Sequence, residues 1–231
     1  ADTINPIVTF AAPSDGAKFK ADFKAVANAS DNMGVLGVQF YLDATLLGAE
    51  DIAAPFEANI PVATLASGSS HALKAEARDA AGNTASVIIN FIVDKTAPTI
   101  TITSPASGAT LNGVLNVNMT ATDAQGISAC YIEVDGVLKG TEDTTAPYSI
   151  SLDTNSLTNA NHTIKAYARD LAGNINSVSI SVTVANSNPY TTPEAELAAD
   201  YPVNTANLLA GKNLWQTNCS GCHATEKRDR T

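Results

Sequence analysis

HALKAEARDAAGN at residues 71–83 returns as HTIKAYARDLAGN at residues 162–174. The repeat does not stop there. FYLDATLLGAEDIAAPF (40–56) pairs with IEVDGVLKGTEDTTAPY (132–148), setting Asp43 against Asp135, Gly48 against Gly140 and Pro55 against Pro147. APSDGAKF (12–19) pairs with SPASGATL (104–111). The offset is 92 residues up to a one-residue slip, after which His71 falls on His162. One unit of about 92 residues has been written twice, which is how arrayed domains announce themselves in sequence. The boundary lies near DKTAPT, where Asp94 closes one unit and Pro98 opens the next.

Inside a unit the hydrophobic period is two. Val38, Phe40 and Leu42 alternate with Gly37, Gln39 and Tyr41, and Cys130, Ile132 and Val134 take the matching inward places in the second unit. Such alternation describes a sheet with one wet face. Turn signals interrupt it at short intervals: SDG, DNMG and AAGN, then ASG, DG and LAGN. Many short strands at this spacing predict a β-sandwich for each unit.

The residues A-x-D-N-x-G-V, F-Y-x-D-x-x-L-x-G, A-P-F and H-x-L-K-A-x-A-x-D-x-A-G-N closely resemble the tandem Ig-like domains of bacterial secreted and surface proteins. The resemblance implies a mainly β chain with two Ig-like or fibronectin-like sandwiches, at 1–95 and 96–186. It implies no single function, because such folds serve as spacers, adhesion modules and assembly blocks.

Three features of the units bear on chemistry. Asp31, Asp79 and Asn83, and likewise Asp123, Asp170 and Asn174, sit in loops that share one end of a sandwich. Oxygen ligands gathered there could hold Ca²⁺, with the second set facing the joint between units. The plainer reading is that Asp and Asn cap turns. His71 and His162 are possible haem ligands. However, they occupy one position in both repeats, which favours a role in the fold. Cys130 aligns with Val38 and reads as a small buried hydrophobe.

After Asn186 the pattern changes. SNPYTTPEAELAADYPVNTAN is rich in Pro, Asn and Thr. It predicts a linker over 187–204 with a short helix from Pro193 to Asp200, capped by Thr192 and ended before Pro202. A second helix is expected from Asn204 or Thr205, with Gly211, Trp215 and Cys219 four residues apart on one face. The helix leads into Cys219-Ser220-Gly221-Cys222-His223, the C-x-x-C-H attachment pattern of c-type haem.

G-K-x-L-W-x-x-N-C-x-G-C-H resembles the N-terminal helix and haem-binding loop of class I cytochromes c. The resemblance covers 205–231. It implies that Cys219 and Cys222 form the thioethers to a covalent haem c and that His223 is the proximal iron ligand. Gly211 and Trp215 would be packing positions of the haem domain. The family continues to a Met ligand and a closing helix. The residues after His223 contain no Met, His or Cys, so the sixth ligand is unknown. It is expected from polypeptide beyond Thr231, from a neighbouring subunit, from an Ig-like unit or from water. Met119 reads as a strand core residue and Met33 as a loop residue.

Charge and composition narrow the partners. The chain carries a formal net charge of −10, and 45% of its 231 residues are hydrophobic. From Thr205 onward four basic residues face two acidic ones, so the acidic excess lies in the preceding 204 residues. That field repels phosphate and argues against nucleic acid. No apolar run approaches the roughly 20 residues of a transmembrane helix. There is no Ser-His-Asp set, paired-carboxylate motif or nucleotide loop, so an enzyme is not expected. The expected function is electron transfer by an extracytoplasmic monohaem c-type cytochrome carried on an Ig-like stalk. Its partner would be a redox protein or extracellular acceptor, and its place the periplasm, cell surface or exterior of a bacterium. The alternative is a structural, adhesive or filament-forming surface protein that assembles with copies of itself. In that reading haem is secondary or shared between subunits.

Overall fold

The computed structural model describes residues 2–187. All the regular structure there is strand except for one 3₁₀ turn at Thr154–Ser156. In the first unit the strands are β1 (Ile7–Ala12), β2 (Ala17–Phe19), β3 (Phe23–Ser30), β4 (Val35–Leu42), β5 (Thr45–Asp51), β6 (Phe56–Ile60), β7 (Ser70–Asp79) and β8 (Thr84–Val93). The second unit repeats them as β9 (Thr99–Ser104), β10 (Thr110–Leu111), β11 (Val114–Thr122), β12 (Ile127–Val134), β13 (Val137–Asp143), β14 (Tyr148–Asp153), β15 (Asn161–Asp170) and β16 (Ile175–Val184).

Each unit is a sandwich of a three-stranded and a five-stranded sheet. The orders are β1-β3-β6 over β2-β8-β7-β4-β5, and β14-β11-β9 over β10-β16-β15-β12-β13. Every pairing is antiparallel except β2 with β8 and β10 with β16. Two sheets with alternating faces bury their apolar sides against each other. In the first unit the buried set includes Val38, Phe40, Ile60, Leu73 and Phe91. In the second it includes Val117, Ile132, Leu152 and Ile164.

The duplicate cores are filled differently. Phe19 and Phe23 stack at 3.6 Å between ring centroids, and Phe91 meets both rings edge-on. The same register places carry Leu111, Leu115 and Val182 in the second unit. Branched aliphatics fill there what aromatic rings fill in the first. Each such side chain contributes about 1.5–3 kcal/mol by burial.

The alternation predicted for β4 and β12 holds at Val38, Phe40, Cys130, Ile132 and Val134, all buried. Leu42 is only half-buried, at the end of its strand. Gly37, expected on the wet face, is also buried. The side chain of Glu50 lies over it, and a Cβ built at Gly37 would stand 2.6 Å from Glu50 Cδ. Alternation could not reveal a charged side chain laid across a glycine. Met119 is in the core, and Met33 is exposed in its loop. Among the described residues no helix is long and apolar enough to cross a membrane.

Candidate functional site

The loops that the sequence sets at one end of each sandwich do converge there, and a residue from ahead of each sandwich joins them. One carboxylate oxygen from each of Asp94, Asp123 and Asp170 lies within 4.8 Å of the other two. Asp2, Asp31 and Asp79 make the same arrangement in the first unit. Asp2 and Asp94 are 92 residues apart, in DTINP and DKTAP. That shared D-x-x-x-P entry was the sequence signal for the third acid. It stands ahead of the repeat's first strand, outside the alternating pattern.

Local turn chemistry fixes the acids, and it does so in closely matching ways in the two copies. Asp94 Oδ1 accepts from Thr96 N at 3.1 Å, and Asp2 Oδ1 from Ile4 N at 3.1 Å. Asp123 Oδ1 accepts from Gln125 N at 2.7 Å, and Asp31 Oδ2 from Met33 N at 2.8 Å. The third acid sits at the end of the long strand. Asp170 Oδ1 accepts from Ala172 N and Asn174 N, both at 2.8 Å. Asp79 Oδ1 accepts from Asn83 N at 2.8 Å. The bonds reaching two residues on are the Asx turns of the plainer reading, and those from Asn83 and Asn174 close wider loops.

Turn chemistry leaves something over. Oδ2 of Asp94 is buried with no hydrogen-bond partner, and so is Oδ2 of Asp2. Asp94 as a whole is 2% exposed and Asp170 is 1% exposed. Burial pushes the Asp94 carboxyl above its usual value. The Thr96 N–H offsets part of that, and the neighbouring charges of Asp123 and Asp170 add to the rise. Burial also acts to raise Asp79, but hydrogen bonds from the Asn83 side chain and the turn amides outweigh it and hold the carboxyl below its usual value.

Asn174, a possible ligand by sequence, donates through its side-chain nitrogen. Its Nδ2 bonds Asp170 Oδ2 at 2.8 Å and the carbonyl oxygen of Asp94 at 2.9 Å. Asn83 repeats this on Asp79 Oδ2 at 2.7 Å and on the Asp2 carbonyl at 3.3 Å. In both copies the Asn latches the incoming chain to the loop. At the joint the Lys20 ammonium of the first unit bonds the Gly173 carbonyl of the second, and Asn176 Nδ2 holds the entering chain at the Pro98 carbonyl, 2.9 Å away. Asp94 N bonds the Phe19 carbonyl at 2.9 Å. One residue thus closes the first sandwich with its amide and enters the loops of the second with its side chain.

The paired histidines have the architectural role that repetition implied. His162 Nδ1 meets Asp135 Oδ2 at 2.5 Å, and its Nε2 meets the Thr158 carbonyl at 2.9 Å. His71 Nδ1 meets Asp43 Oδ2 at 2.6 Å, and its Nε2 meets Ser69 Oγ at 2.6 Å. Asp43 and Asp135 stand at φ of 49° and 50°, the left-handed first position of a tight hairpin turn. Each histidine therefore pins a hairpin turn to the adjoining long strand, and both ring nitrogens are engaged. The Asp135 and Thr158 oxygens raise the His162 pKa. The Thr163 N–H, with His162, lowers that of Asp135.

Cys130 is free and fully buried. Burial, with Asp143 adding to it, pushes its thiol up to about 11. Gly211, Trp215, Cys219, Cys222 and His223, with the predicted helices before them, lie outside the described residues.

Comparison with known proteins fits this duplicated geometry. Fibronectin(III)-like modules of CbhA from Clostridium thermocellum are 28% identical over 78% of this chain and 95% of theirs, with a TM-score of 0.59. A chimeric titin Z1Z2 is 14% identical over 80% of this chain and all of its own, at a TM-score of 0.40. SGBP-B of a Bacteroides ovatus mixed-linkage glucan utilization locus, solved with a heptasaccharide, is 14% identical over 80% of this chain and 48% of its own, at 0.31. No curated protein matches the chain. The bacterial Ig domain model matches residues 6–75 and again 98–166, one match for each sandwich. Duplicated in sequence, strand order and turn chemistry, the chain belongs to the bacterial Ig domain family.

Proposed function

We propose that this is an extracytoplasmic structural protein, secreted or displayed on a bacterial surface, in which the tandem sandwiches act as a spacer and assembly arm. The observation that carries the reading is the joint. The Asp94 amide on the Phe19 carbonyl, the Asn174 side chain on the Asp94 carbonyl and the Lys20 ammonium on the Gly173 carbonyl tie the two sandwiches together, as a spacer requires. The family and the likeness to CbhA modules point the same way. In cells that make the natural protein, protease added outside should remove the sandwiches without lysis. A chain fully protected until lysis would refute the reading.

A second function is proposed on one sequence observation, the C-x-x-C-H motif with Gly211 and Trp215 at cytochrome spacing. In it the arm carries a covalent haem c for electron transfer to a redox partner. Cys219 and Cys222 would fix the porphyrin, and His223 would bind the iron from one side. Covalent attachment keeps the cofactor from dissociating, and burial and axial ligation set its potential. Protein matured where c-type haem is attached should keep its colour after acid-acetone extraction and lose it in C219A/C222A. Colour that extracts freely would overturn this function and leave the spacer reading standing.

A further inference from the structure

We propose that Asp94, Asp123 and Asp170 form a Ca²⁺ site at the joint between the sandwiches, and that Asp2, Asp31 and Asp79 form its twin at the outer end of the first. Clustered acids alone would not carry this. Asp94 does: the residue is 2% exposed, one carboxylate oxygen is held by the Thr96 amide, and the other is buried with no partner. Burying an acceptor without a donor is costly, and natural chains rarely leave one so. Burying it beside two more carboxylates is costlier, unless a cation is the missing partner. An unpartnered buried oxygen recurs at Asp2 Oδ2, on a half-buried residue, in the copy whose core is filled with different side chains.

The spacing suits the ion. Oxygens on opposite sides of Ca²⁺ bound at 2.3–2.6 Å stand about 4.6–5.2 Å apart. The three acids offer oxygens within 4.8 Å of one another. The set is all oxygen, with no sulfur or imidazole, which selects a hard cation. Ca²⁺ accepts several carboxylates in an irregular shell, whereas Mg²⁺ demands octahedral geometry and keeps its waters. The acids are also pre-aimed: turn amides hold Asp123 and Asp170, and the Asn174 amide holds the far oxygen of Asp170.

The mechanical meaning lies in Asp94. Its amide is bonded to Phe19 of the first sandwich, and its carboxylate would share an ion with two loops of the second. Calcium would therefore bridge the sandwiches at one residue of their connection and stiffen the joint. This rests on the spacer reading only for its purpose, since the binding itself is tested without reference to location or haem.

The test uses the full chain freed of metal with EDTA and titrated with CaCl₂ alone by calorimetry. Two ions per chain are expected, with a Kd in the range of about 0.1–1 mM typical of extracellular modules. The thermal midpoint of the second sandwich should rise by about 5–10 °C in 10 mM CaCl₂. D94N and D123N should each remove one of the two ions and abolish that rise. D31N should remove the other ion and leave the rise intact. In EDTA, D94N should melt no lower than the parent, because it removes a crowded charge. D123N, at a more exposed position, gives the same readout if D94N does not fold. No binding at 10 mM CaCl₂, binding unaltered by D94N and D123N, or preferential loading by Mg²⁺ would each overturn the proposal.

Discussion

Replacing His162 by Gln, alone and together with Asp135→Asn, should expose a pH-dependent clamp in the second sandwich. The His162 side chain is 8% exposed and that of Asp135 is 50% exposed. A hydrogen bond to a charged group contributes about 1.5–3 kcal/mol when buried, and an exposed ion pair about 0.2–1 kcal/mol. With one partner buried and one half in water, a coupling of about 1–2 kcal/mol is expected. His162→Gln also strips the Thr158 carbonyl of its donor, so the single variant should lose somewhat more than the coupling. The pH window follows from the two directions. The His162 pKa is raised in the fold, so its contribution is complete below the unfolded value near 6.5 and fades as pH rises through the folded one. The Asp135 pKa is lowered, so its contribution is complete above the unfolded value near 3.9 and fades as pH falls through the folded one. The coupling should therefore be flat between about pH 4.5 and 6 and shrink toward pH 9. Urea titrations of the parent, both single variants and the double variant at several pH values give the coupling by double-mutant cycle. Proton NMR of the imidazole reports the folded pKa directly. A coupling below about 0.3 kcal/mol at pH 6, or one that grows with pH, would refute the reasoning.

Other outcomes follow from single positions. Cys130 should resist alkylation at neutral pH until the sandwich unfolds. Cys130→Val, which copies Val38, should cost less than about 1.5 kcal/mol, and Cys130→Ser about 1–3 kcal/mol for an unpartnered hydroxyl, both read by denaturant midpoint. Gly140→Ala should cost more than Gly48→Ala. Both stand near a φ of +70°, but a Cβ at Gly140 would lie 2.8 Å from Ile150 Cγ2, while at Gly48 it meets nothing within 4 Å. About 1–2 kcal/mol is expected at Gly48 for the left-handed backbone alone, with equal costs at the two sites counting against this packing argument. A chain ending at Asn186 should unfold cooperatively with a strand-type circular dichroism spectrum, since Asn186 Oδ1 accepts from Thr154 Oγ1 at 2.8 Å and finishes the second sandwich.

The fold was legible because its signals are local. Period-two alternation at Val38 and Phe40, turn signals such as the DG at Asp135, and a repeat that cancels accidental matches all survive without knowledge of contacts. The site was half legible. Asp123 and Asp170 stand in loops whose convergence a sandwich dictates. Asp94 was hidden, because its role depends on burial between two domains, and burial of a linker residue leaves no periodic trace. Asn174 also carries a task that sequence does not show, since its Nδ2 joins Asp170 Oδ2 to the Asp94 carbonyl. That bond depends on the positions of Asp94 O and Asp170 Oδ2, which only the fold brings together. Gly37 failed for a similar reason, since what covers it is the side chain of a residue on the neighbouring strand.

The parallel pairs β2–β8 and β10–β16 have a mechanical consequence. In each sandwich they join a strand near its entry to the strand at its exit. A pull along the chain loads those hydrogen bonds in shear, so several must break together rather than open one by one. The first sandwich closes its pair over three residues, Ala17–Phe19, and the second over two, Thr110–Leu111. In a stretched tandem without bound cation the second sandwich should therefore yield first. A single-molecule force trace in EDTA showing the first giving way earlier would contradict that order. The arm would then behave as a graded tether, spending its weaker module before the stronger one lets go.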